Sequence, residues 1–188
     1  MARVGAEIEN AVSGERLTFL ETAESSGGEL FRADIRMPAG DYVIPRHIHP
    51  KQEERFEVVA GSLAVTVRRK RRTAGPGETV VVPIGVPHSY WNAGDGELRV
   101  LYENRPALPS EEVFFETYYG LSRAGKVSKR GQMNPLQAAV LVGELGDYIR
   151  PAFPPVWVQD RLFALLAPIG RRRGYRSTYP EYATDPRA

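Results

Sequence analysis

Gly40-Asp-Tyr-Val-Ile-Pro-Arg-His47-Ile-His49-Pro-Lys-Gln-Glu-Glu54-Arg-Phe-Glu-Val-Val-Ala-Gly61 is the stretch that decides how this chain folds. It carries two of the 3 histidines in the sequence, at alternate positions. In an extended segment residues i and i+2 face the same way, so His47 and His49 present their imidazoles to one side. The residues from Arg55 to Ala60 read as a strand, and by parity Glu54, Phe56 and Val58 share a face of it. The third histidine opens a later strand, His88-Ser-Tyr-Trp-Asn92, entered through the turn Pro83-Ile-Gly85-Val-Pro87. Two same-face histidines, a carboxylate from a neighbouring strand and a histidine from a third can meet only if the sheet curls on itself. A closed barrel does this. Three imidazoles with one carboxylate suit a single divalent ion of borderline softness: Fe, Mn, Ni, Co or Zn.

Outward from that stretch the pattern stays β. Leu17/Phe19, Phe31/Ala33/Ile35/Met37 and Leu63/Val65/Val67 alternate with polar residues, the period of a strand with one buried face. Gly27-Gly28, Pro38-Ala-Gly40, Gly75-Pro-Gly77 and Gly94-Asp-Gly96 supply turns between them. Many short strands at this spacing predict a sandwich or barrel.

The same residues resemble the cupin superfamily. Its first motif runs from a glycine through His-x-His to a glutamate and, six residues on, a second glycine; Gly40, His47, His49, Glu54 and Gly61 fit it, with one extra residue before His47. Its second motif is matched by Gly77, Pro83, Gly85, His88 and Asn92. The resemblance implies a double-stranded β-helix (jelly-roll) barrel, mainly β in class, with a divalent metal held by His47, His49, Glu54 and His88. Glu54 is preferred to Glu53 because it places Gly61 at the motif distance and turns Phe56 inward. Phe56 and Tyr90 share the ligand face and are the pocket candidates, whereas Trp91 points away. No general acid or base stands out within the motifs; Tyr90 and Glu78 are the alternatives.

After Asn104 the texture becomes helical, which divides the chain into a barrel over residues 1–105 and a helical extension over 106–188. Ser110 is the expected N-cap of a first helix, with Glu111 and Glu112 in its first turn. Asn134-Pro135 opens a second. Pro154-Pro155 opens a third, whose Val158, Leu162, Leu165, Leu166 and Ile169 form one apolar stripe ending at Gly170. That stripe is expected to cover apolar surface on the barrel or on a second subunit, and a homodimer is expected. The stretch from Tyr175 onward reads as irregular.

Composition narrows the chemistry. With 188 residues, 42% hydrophobic and 26% charged, the chain reads as globular. Zero cysteines exclude disulfides, thiolate metal sites and thiol nucleophiles. The longest apolar runs are far below the roughly 20 residues of a membrane span, and the opening residues hold no apolar core of the signal-peptide kind. A cytoplasmic location is therefore the expectation. Up to residue 121 there are 14 Lys and Arg against 18 Asp and Glu; beyond it there are 11 against 5. Arg68-Arg-Lys-Arg-Arg72 reads as a solvated hairpin tip rather than a nucleic-acid site, and Arg171-Arg-Arg173 as the end of a docked helix rather than a membrane segment. The expected partner is a small organic molecule. Oxygen-using (dioxygenase) chemistry at the metal is favoured over isomerisation or decarboxylation; the alternative is a non-catalytic cupin that binds or senses a ligand.

Overall fold

The computed structural model describes residues 2–184; the last four residues of the expected extension, 185–188, lie outside them. Eleven strands precede and interleave with three helices among the described residues. They are β1 (Glu7–Asn10), β2 (Glu15–Glu21), β3 (Phe31–Met37), β4 (His47–Ile48), β5 (Glu53–Ala60), β6 (Leu63–Val67), β7 (Lys70–Ala74), β8 (Thr79–Val82), β9 (His88–Asn92), β10 (Leu98–Arg105) and β11 (Arg150–Pro151). The helices are α1 (Pro109–Arg123), α2 (Pro135–Leu145) and α3 (Val156–Arg172). All strand pairs are antiparallel and form two sheets, in the orders β1-β2-β3-β10-β5-β8 and β11-β4-β9-β6-β7. This is the jelly-roll barrel with a helical C-terminal region.

Alternation decides what faces inward. Phe31, Ala33, Ile35 and Met37 of β3, Leu17 and Phe19 of β2, and Phe56 and Val58 of β5 are buried between the sheets. Gly61 turns the chain between β5 and β6 with φ +83°. A Cβ there would sit 2.7 Å from the Glu97 carbonyl oxygen and 2.8 Å from Leu98 Cα, so the position needs glycine both for its backbone angle and for its clearance. The basic run lies in the hairpin of β6 and β7, and β7 is the outer strand of its sheet. Its charges keep that edge from pairing with another chain, and Arg71 stacks over Trp91 at 4.8 Å.

The extension departs from expectation at the start of its first helix. Helix α1 begins at Pro109, not after Ser110: Leu108 holds the cap position with no side-chain bond, and the Ser110 hydroxyl has no partner. Proline already has the φ of a first helical residue and lacks the N–H that a cap would satisfy. For α2 the cap is Asn134, whose side chain accepts from the Leu136 N–H at 2.9 Å. Within α3 the packed face is not the stripe of large apolar residues. Leu162, Leu165 and Ile169 are exposed, together with Trp157, while Gln159, Ala167 and Gly170 are buried, and the helix lies on α2. Small residues win because they let the two helices approach. A Cβ on Gly170 would stand 2.7 Å from Val140 Cγ2 and 2.9 Å from the Leu136 carbonyl oxygen. Gly170→Leu is accordingly expected to pry α3 from α2, at about 1–3 kcal/mol of overpacking, seen as a lower urea midpoint. An unchanged midpoint would mean that the helix pair tolerates a wider spacing. The stretch after Tyr175 contains one short 3-10 turn, Pro180–Tyr182, packed on α1 at Gly120.

Candidate metal centre

Four side chains from both sheets meet in the barrel. His47 lies on β4, paired directly opposite His88 of β9, and His49 follows β4. Glu54, on β5 of the other sheet, faces them. One ligand atom from each of the four falls within 4.8 Å of the others, and all four residues are buried. Glu53, one residue away, is exposed.

The hydrogen bonds fix which nitrogen of each ring points inward. Nδ1 of His47 bonds the Pro45 carbonyl at 2.7 Å, that of His49 the Tyr148 carbonyl at 2.8 Å, and that of His88 the Val86 carbonyl at 3.0 Å. A carbonyl only accepts, so each Nδ1 carries the proton and each neutral ring turns a bare Nε2 lone pair to the centre. Such outer bonds orient and strengthen metal-binding imidazoles. Glu54 Oε2 is 2.7 Å from His88 Nε2, and Oε1 is 3.2 Å from His49 Nε2. With the rings neutral these are contacts between acceptors, and both carboxylate oxygens and both nitrogens lack a hydrogen-bond donor. Converging buried lone pairs with no donor are what a cation would satisfy, so this donor set fits a borderline divalent ion.

The cluster's electrostatics agree. Burial holds His47 well below the usual histidine range, and His88 and His49 push it further down. Burial alone would raise Glu54, but His88 and His49 outweigh it and hold the carboxyl well below its ordinary value. Burial lowers His88 while Glu54 pulls it up, and the pull of Glu54 wins. When His88 is protonated its Nε2 can donate to Glu54, and a metal would take the place of that proton.

A cavity of about 180 Å3 adjoins the cluster, with His47 and Glu54 in its wall. Tyr90 lines it; Phe56 does not, being fully buried behind Tyr90 at a ring separation of 4.8 Å and beside Tyr102 at 5.4 Å. Glu78 is remote from it, exposed in a turn where Oε2 accepts from the Gly75 N–H at 2.7 Å. Much of the wall comes from residues that the motifs do not reach. Glu15 opens β2, Tyr42 precedes β4, Phe114, Phe115, Tyr118 and Tyr119 lie on α1, and Tyr148 follows α2. Two signals for them were in the sequence. Glu15 extends the inward parity of Leu17 and Phe19 by one step, and the α1 aromatics repeat at helical spacing.

Residues 33–102 match the family model described as a cupin domain. The chain carries a cupin domain. Among curated proteins, an oxidoreductase of Arthrobotrys oligospora is 31% identical over 157 residues, covering 75% of this chain and 60% of that protein. The probable oxidoreductase yanE of Aspergillus niger is 29% identical, covering 75% of this chain and 59% of its own length. The chain thus spans about 60% of the length of these relatives. Among solved structures, a Thermotoga maritima protein described as a predicted oxalate decarboxylase is 20% identical with a TM-score of 0.48, covering 57% of this chain and 99% of that one. No helix among the described residues is long and apolar enough to cross a membrane.

Proposed function

We propose that this cupin is a metal-dependent oxidoreductase acting on a neutral, largely apolar small molecule of about one ring in size. His47, His49, Glu54 and His88 would hold one divalent ion. The observation that carries the substrate class is the cavity wall beside His47 and Glu54. Tyr42, Tyr90, Tyr102, Tyr118, Tyr119 and Tyr148 supply flat apolar faces, and among the described residues Arg46 is the one arginine or lysine lining it. Arg46 is exposed, and its Nη2 donates to the Arg68 carbonyl. Apart from the ion itself and Arg46, this wall offers a dicarboxylate or a phosphate ester no positive charge, whereas its aromatic faces suit a neutral ring. An apolar cavity of about 150 Å3 is known to admit benzene, so this volume admits one ring beside the ligand cluster. The oxidoreductase names of the curated relatives support the reaction class.

A bound transition ion would supply Lewis acidity and, if it is iron, activation of O2. The chain's own residues do the rest. The Nδ1 bonds hold the three imidazoles in the ligating tautomer, and the tyrosines orient a flat molecule and exclude water. The test is reconstitution with Fe(II), Mn(II), Co(II), Ni(II) or Zn(II), followed by O2 uptake and product analysis with hydroxylated single-ring compounds and, separately, oxalate. Metal-dependent O2 consumption with a ring compound and none with oxalate is the expected result. Turnover of oxalate alone would overturn the substrate class. Tight ring binding without turnover under any metal would favour the ligand-binding alternative instead.

A further inference from the structure

Five carboxyl groups other than Glu54 are buried among the described residues; Glu103 pairs with arginines, Glu116 accepts from Thr184, and their bonding separates the other three. Glu111 accepts from Gln52 at 2.8 Å and from Asn104 at 2.7 Å, one bond on each oxygen. Glu112 accepts from the Ala2 N–H at 3.1 Å and the Ala23 N–H at 2.6 Å, again one on each. Neither lines the cavity, and both are structural ties between α1 and the barrel. Glu15 differs. Its Oε1 accepts from the Tyr119 hydroxyl, whereas Oε2 is buried, has no partner and belongs to a side chain in the cavity wall.

We propose that Glu15 exchanges a proton with a hydroxyl group of the molecule bound beside the ligand cluster, its free Oε2 taking that proton. In this step the ligand O–H bond breaks and an O–H bond forms on Oε2. The negative charge passes from the carboxylate to the ligand oxygen, so the net charge of the cavity does not change. The reverse step returns the proton. The inference rests on the single-ring reading of the cavity given above and adds that the ring is hydroxylated.

The surroundings suit this role. Burial raises the Glu15 carboxyl to about 7, with the Tyr119 bond opposing it, so both protonation states are populated near neutrality. The titratable groups within electrostatic reach are Tyr119 and Tyr118 of α1, Tyr90 of β9, Tyr42 before β4 and Tyr148 after α2. Burial raises every one of these phenols, so all stay neutral where Glu15 titrates. Glu54 and His47, in the same wall, are both held well below their ordinary values. No lysine or arginine bonds to Glu15 among the described residues.

Calorimetry on the full chain loaded with Zn(II) tests this, with phenol and toluene as probes between pH 5.5 and 8.5. A charge-assisted bond exceeds a neutral one by roughly 1 kcal/mol, so phenol affinity should rise about fivefold with pH in the wild type. In Glu15→Gln, which keeps an acceptor for Tyr119, that rise should vanish, and toluene should show no pH dependence in either protein. Tyr119→Phe retains the carboxyl but removes the bond that lowers it, so the midpoint should move upward. Identical phenol profiles in wild type and Glu15→Gln, or a midpoint unmoved in Tyr119→Phe, would overturn the assignment while leaving the single-ring reading intact. Failure of the wild type to bind either probe would overturn both. Circular dichroism and zinc content establish that each variant is folded and loaded.

Discussion

His88→Ala should leave the centre unable to hold its metal. The substitution removes one of four converging donors and strands the Glu54 carboxylate, whose Oε2 lies 2.7 Å from His88 Nε2, in a buried site. Breaking a buried pair in this way costs about 3–5 kcal/mol, or two to three orders of magnitude in an equilibrium constant. A metal at one hundred times its dissociation constant stabilises a folded chain by about 2.7 kcal/mol, so the wild type should melt higher with metal than with EDTA. The variant should show no such difference at the same metal concentration. The metal-free form carries a second signature. Glu54 is depressed, so its contribution to stability is present above the ordinary carboxyl range and lost as pH falls through its folded value. His88 is raised, so its contribution is complete below the ordinary histidine value and lost as pH rises through its folded value. The pair acts fully between those limits, so in EDTA the destabilisation by His88→Ala should be greatest near pH 5–6 and smaller at pH 8. A metal-dependent melting shift as large in the variant as in the wild type would remove His88 from the ligand set.

Glu15→Gln should make the protein more stable at alkaline pH. The carboxyl ionises at 4.5 in its unperturbed form and at about 7 in the fold, so between those values the folded state binds the extra proton. Stability therefore falls as pH rises from 4.5 through 7, and the full penalty remains above that. A shift of this size corresponds to about 3 kcal/mol. Glutamine is neutral and of similar shape, and it keeps an oxygen for the Tyr119 hydroxyl, so it escapes the penalty. Urea unfolding at pH 8.5 should show the variant ahead by up to about that amount, with little difference at pH 4.5. Equal stability at pH 8.5 would mean that water reaches Oε2 and that burial does not raise the group. This gain would accompany the loss of pH-dependent phenol binding, a trade of stability for chemistry often met in functional sites.

The four-residue cluster was legible because its elements are local. His47 and His49 are two apart on an extended segment, Glu54 has the parity of Phe56, and β9 runs from His88 to Asn92, the same limits as the strand read from the sequence. Period-2 patterning also recovered β3 at its observed limits. What could not be read was long-range. No spacing rule says that α1 would bring Tyr118 and Tyr119 to a cavity wall shared with His47 and Glu54, more than sixty residues back, or that Glu15 would meet Tyr119. The face of α3 that meets α2 was hidden for a related reason. Hydrophobicity ranks Leu162, Leu165 and Ile169 as the buried face, but close approach to α2 is governed by steric clearance, and that favours Ala167 and Gly170. The α1 cap misled locally, because a serine in the first turn outweighed the proline before it.

The short strand β4 has β9 on one side and β11, from the far end of the chain, on the other. Arg150 and Pro151 of β11 register with Ile48 and His47, and the Tyr148 carbonyl just before it holds the His49 ring. One of the three imidazoles is thus aimed, and the strand that carries a second is paired, by backbone that arrives a hundred residues later. Coupling of this kind is reciprocal: if the cluster binds an ion, whatever loosens that late segment would weaken its hold, and the ion would in turn fasten the segment to the barrel by the same free energy. Hydrogen exchange at the amides from Tyr148 to Ala152 would then serve as a gauge of occupancy, read from a part of the molecule that supplies no ligand atom.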